Sequence, residues 1–297
     1  MARTSLVTKI TAAYLAIGTV TLIVWRITGN ARWASVFFPL PGGLVIMYMA
    51  IVGLWLGIQV TAYFGPGEAL RKAWTLIVLS NILMFASAAL VQLLRADFPL
   101  YPFLLAPGGG ERALSVARLN GLTVGGPIRF TLIATGLFFV LKAYRQSGLL
   151  ARLRAFDWLL LAVMALYVGR NLMAIATMVK GQPASPRFWQ MVGWPVEPLL
   201  WVLVAEALLL FRSAQQMEAG SIGRCWKALA LGIFLTAASD IGIWAANYGY
   251  LEGHWRALIF YAWVPAGAAF ARAPALQLEA IRAATSRNAS GAQPADS

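Results

Sequence analysis

The sequence predicts an all-α fold: a polytopic integral membrane bundle of about eight transmembrane helices, seven being the alternative count, built from hairpins. Three observations predict it. Of 297 residues, 60% are hydrophobic and only 12% charged, whereas a soluble domain carries about a quarter charged residues. Mean hydropathy is +0.70. The apolar residues fall in repeated runs of roughly the twenty needed to span a bilayer, separated by Gly and Pro clusters that mark turns rather than domain boundaries.

The first run, 10–27, is too long for the apolar core of a signal peptide and reads as a retained helix. Pro39, Pro41, Gly42 and Gly43 precede the second, 44–64, whose Gly53-xxx-Gly57 is a close-packing pattern. Gly65-Pro66-Gly67 turns the chain into the third, 73–94. A long segment, 95–127, follows; Gly108-Gly109-Gly110 lead there into a short surface helix over 111–120, with Gly121 suited to its C-cap. The fourth run is 128–144 and the fifth 158–178. Pro183 and Pro186 separate the fifth from the sixth, 196–213. The seventh is 226–247, and the eighth, 257–272, is bent by Pro265. Residues 1–275 form one transmembrane domain, and 276–297 form a flexible cytoplasmic tail rich in Ala, Ser, Gln and Pro.

A net charge of +13 points away from nucleic acid, because the basic residues lie in short segments between apolar runs with no basic arm or binding motif. They serve instead to anchor loops at anionic lipid. With the N-terminus inside, fourteen Lys and Arg fall on the inner side and nine on the outer, with Arg170 inside a span. This places both termini in the cytoplasm and the chain in a cell (inner) membrane.

Three hairpins open with a basic residue shortly before a tryptophan: Lys72-Ala-Trp74, Arg154-Ala-Phe-Asp-Trp158 and Arg224-Cys-Trp226. Interface preference accounts for this spacing as well as a structural repeat does.

The residue inventory excludes several chemistries. His254 is the single histidine, and it falls in a loop. Bis-histidine haem, multi-histidine metal sites and Ser-His hydrolysis are therefore excluded. No lysine sits mid-span for a retinal Schiff base, and the single Cys225 leaves no disulfide. No cofactor and no metal are expected.

Ionisable residues inside a span are functional candidates. Arg170, Asp240 and Glu197 lie roughly 18, 21 and 24 Å from the inner helix ends, while Glu206 lies about 10 Å in. Thr236, Asp240, Trp244 and Asn247 form one stripe; Tyr167, Arg170, Asn171 and Ala174 form another; Trp194, Glu197 and Trp201 add an aromatic wall. The expected ligand site is an outward-facing pocket of Arg170, Asn171, Glu197, Trp201, Asp240, Trp244 and Asn247. An Arg170–Asp240 ion pair that only fixes helix packing is the structural alternative.

The last hairpin runs from Arg224-Cys-Trp226 through Asp240, Trp244 and Gly249-Tyr250-Leu251-Glu252-Gly253 to Trp255, and returns through Tyr261-Ala-Trp263. It resembles the multi-helix membrane sensor domains that precede cytoplasmic output domains in bacterial signalling proteins, over about residues 70–275. The resemblance implies a ligand-sensing bundle without catalysis in the membrane. About twenty-five residues follow the last span, too few for an output domain, so output would fall to a membrane or cytoplasmic protein partner. The leading expectation is thus a receptor or sensor-like bundle embedded in lipid, binding a small molecule or lipid. A secondary transporter, and an enzyme acting on a lipid or isoprenoid by carboxylate acid catalysis, are the alternatives.

Overall fold

Uninterrupted apolar runs leave a chain little choice but helix, since only helices satisfy every backbone group within one segment. The computed structural model describes residues 2–29, 37–96, 125–179, 196–217, 221–247 and 258–289. Among them are eight helices: α1 (Ala2–Thr28), α2 (Pro39–Tyr63), α3 (Ala69–Ala96), α4 (Gly125–Gln146), α5 (Ala155–Val179), α6 (Val196–Gln216), α7 (Ser221–Asn247) and α8 (Leu258–Ala289). The short helix expected over 111–120 lies outside the described residues.

The helix ends follow local chemistry. Gly148 (φ 70°) turns the chain out of α4, with Leu149 N–H returning to the Tyr144 carbonyl at 2.9 Å. At the start of α5, Asp157 reaches back to accept from Arg154 N–H at 2.8 Å, as an acidic residue in the first turn should. Pro265 and Pro274 lie inside α8, each freeing the carbonyl four residues earlier.

Six helices, α1 to α5 and α7, are long and apolar enough to cross a membrane, which suggests a multi-pass membrane protein. The other two fall short for visible reasons. Glu197, Glu206 and Arg212 occupy three of the 21 positions of α6, and α8 is built largely of alanine with two prolines. The apolar exterior fits lipid: Ile17, Trp55, Phe138, Leu166 and Met173 are all exposed.

Six helices form a closed ring. In order, α2, α3, α4, α6, α7 and α8 each pack on the next, and α8 packs back on α2. Two helices stand outside it, α1 against α8 and α2, and α5 against α6. Small residues draw the ring together, as they must where lipid supplies no hydrophobic drive between helices. Ala266, Ala268, Ala269, Ala271, Ala273 and Ala275 of α8 are all buried. A Cβ on Gly136 of α4 would meet the Ala73 carbonyl of α3 at 3.1 Å, and one on Gly53 of α2 would lie 3.5 Å from the Ala271 Cα of α8. The expected tail from 276 starts inside this packing: α8 continues to Ala289, with Leu276, Gln277, Leu278 and Ala280 buried.

Candidate functional site

The ring has two ends. At the near end, where α3 and α7 begin and α4 finishes, aromatic side chains fill the axis. Trp74 and Trp226, from helices on opposite sides of the ring, stack with centroids 5.7 Å apart. Tyr144 meets Trp226 edge-on at 6.4 Å. All three are buried. Two of the three basic-then-tryptophan openings therefore meet in one plug, whereas Trp158 is 62% exposed on the outside of α5.

At the far end, where α4 and α6 begin and α7 finishes, the interior is charged. Arg129, in the second turn of α4, extends across the ring, its guanidinium carbon 5.8 Å from the Phe130 ring and 5.7 Å from the Phe270 ring of α8. Cation–π contact of this kind is worth about 2 kcal/mol or more when desolvated. Asp240 lies on the stripe of α7 that continues Trp226, Leu229, Ile233 and Ala237, the buried side of that helix. The charged groups acting on it are Arg129 and Glu197. Three buried polar atoms here have no hydrogen-bond partner: Arg129 Nε, Asp240 Oδ2 and Glu197 Oε2; Glu206 Oε2 has none either, but nine residues along the unbroken α6 put it on the opposite face from Glu197. Such atoms are costly to leave without a partner.

The structure distributes the sequence-derived candidates as follows. Glu197 and Asp240 are brought together, on α6 and α7. Arg170 lies on the exposed side of α5, and the cation beside Asp240 is Arg129. Helix α5 is outside the ring, so residues at matching depth do not share an interior. Trp201 turns toward α5 and donates its indole N–H to the Leu161 carbonyl at 3.1 Å. Asn171 is buried on α5 with both amide atoms unpartnered. Trp244 and Asn247 belong to α7, but their side chains, like Trp194 and His254, lie outside the described residues.

Arg129 is the functional candidate that sequence reasoning missed. With the fourth run starting at 128, Arg129 falls at its edge, among the nine outer cations, and reads as an interface anchor. The signal was Gly125-Gly126-Pro127, a helix-opening pattern. Starting α4 at Gly125 moves Arg129 into the second turn.

Among the described residues no group of His, Cys, Asp and Glu could hold a metal ion. An ion pair, Arg212–Asp157 at 2.6 Å, is at the other end of the bundle and fastens α5 to α6. Two carboxylates against one guanidinium give this part of the interior a negative balance when all are ionised. Its apolar walls and undirected polar atoms suit an organic cation, with donors for the carboxylates and an aromatic face nearby. No family model, curated protein or solved structure matches this chain.

Proposed function

We propose that this chain is a multi-pass membrane receptor of the sensor type, with all eight helices in a cell (inner) membrane and both termini cytoplasmic. Its ligand is a small organic cation taken into the ring from the far end. Arg129, Glu197 and Asp240, each with a buried polar atom lacking a protein partner, carry this reading. Asp240 and Glu197 receive the cationic group, while Arg129, held between Phe130 and Phe270, orients a polar acceptor on the same ligand. The plug of Trp74, Trp226 and Tyr144 makes the site a dead end, which favours binding over passage. Output passes to a protein partner, as the resemblance to sensor domains implies.

The test is thermal stability of the purified protein against choline, guanidinium, spermidine and arginine, with acetate and phosphate as anionic controls. At least one cation should raise the melting temperature of the native chain and leave Asp240→Asn unmoved. Stabilisation by the anions alone would overturn the reading, as would equal stabilisation of both proteins by the cation.

A transporter is the second reading, favoured by one observation. The buried Trp74 Nε1 makes no hydrogen bond, so stacking rather than a polar lock holds that part of the plug. Accumulation of the stabilising cation inside proteoliposomes would select this reading.

A further inference from the structure

A separate feature lies on the outside of the ring at the near end. Pro66, Gly67, Arg71, Lys72, Thr75 and Leu76 form with Phe139 a groove of about 470 Å³ between α3 and α4. Its base is set by the turn before α3. Glu68 accepts from Gly65 N–H at 2.9 Å, and Arg71 donates to the Phe64 carbonyl at 3.2 Å. Glu68 is thus engaged in the turn, and the charges lining the groove are both positive. The Lys72 ammonium stands 5.8 Å above the Phe139 ring, which fixes its position over the groove.

The groove continues along the helices as an apolar seam. Leu79 of α3, one turn beyond Leu76 and on the same side as Lys72 and Thr75, is 43% exposed. A cationic recess opening onto an apolar strip at the level where helices leave a bilayer matches one class of molecule. Free phosphate would fill only the recess. A phospholipid fills both parts, its acyl chain against the strip and its headgroup against the cations.

We propose that this groove is a binding site for an anionic phospholipid, its phosphodiester held by Arg71 and Lys72 and an acyl chain laid along Leu76, Leu79 and Phe139. The site shares no residue with the ring interior and does not depend on what that interior binds.

Native mass spectrometry of the full chain, delipidated and re-exposed to phosphatidylglycerol or phosphatidylcholine, tests the assignment. Phosphatidylglycerol should stay bound and phosphatidylcholine should not. Near-surface basic residues contribute about fivefold each to anionic-lipid binding, so Lys72→Gln should weaken retention about fivefold and Arg71→Gln/Lys72→Gln about twenty-five-fold. Arg224→Gln/Arg282→Gln, two exposed positions elsewhere at the near end, should bind like the native chain. If the Arg71 variant fails to purify as a single species, Lys72→Gln alone decides. Equal retention of the two lipids overturns the proposal, and so does native-like binding by Lys72→Gln. Equal loss in the Arg224/Arg282 control, or displacement of the lipid by inorganic phosphate, overturns it as well.

Discussion

Arg129 of α4 and Asp240 of α7 act on one another electrostatically, and each carries a buried atom without a hydrogen-bond partner. Charges that act on one another in a shared interior lose or gain together when mutated. Arg129→Ala and Asp240→Ala should therefore be non-additive in detergent stability, with a coupling of about 0.5–3 kcal/mol. The same cycle with Arg170→Ala in place of Arg129→Ala should give additive losses, because Arg170 lies on the outer side of α5. Additivity in the first cycle would separate Arg129 from the site. At this scale the sequence was legible for the carboxylates and not for their cation. An acid inside an apolar run is conspicuous by itself. An arginine near a span end looks like an interface anchor until the first turn of its helix is located, and here Gly125-Gly126-Pro127 locates it.

Helix α5 shows how a peripheral element is held. Asp157 takes Arg212 Nε at 2.8 Å and Nη2 at 2.6 Å, a two-pronged contact stronger than a single neutral hydrogen bond. Just before the helix, Ala151 N–H donates to Ser213 Oγ at 3.0 Å, and further along, Trp201 donates to Leu161. Asp157 side-chain exposure is 1%, so truncation leaves the partner guanidinium without its acceptor. Asp157→Ala should cost about 1.5–3 kcal/mol and make the 147–155 connection cleavable by protease under conditions that spare the native chain. An unchanged digestion pattern would mean that α5 is held by other contacts. The eight helices were legible from the spacing of apolar runs and turn residues. Their packing partners were not, since depth along a helix says nothing of which neighbour it meets; α5 and α7 carry polar groups at matching depth, yet the main packing partner of α5 is α6, not α7.

For the molecule as a whole, closure of the ring decides what the interior can do. One trace of it was readable: the Lys72-Ala-Trp74 and Arg224-Cys-Trp226 openings put equivalent tryptophans at one level, and closure makes them stack across the axis. The same preference for interfaces explains Trp158, which faces outward, so the motif alone could not separate a plug from a belt. If the plug closes one end and the ligand enters at the other, chemical access to the interior must be one-sided. The most direct measurement is the labelling of Asp240→Cys, in a Cys225→Ala background, by the membrane-impermeant trimethylammonium-ethyl thiosulfonate reagent. Labelling is compared in right-side-out and inside-out vesicles. A one-sided interior predicts modification from the far side only, with Leu229→Cys, directly beside the plug, silent from the near side. Modification of Asp240→Cys from both sides would contradict a dead-end receptor site, and modification from neither would contradict an interior open to ligand at all.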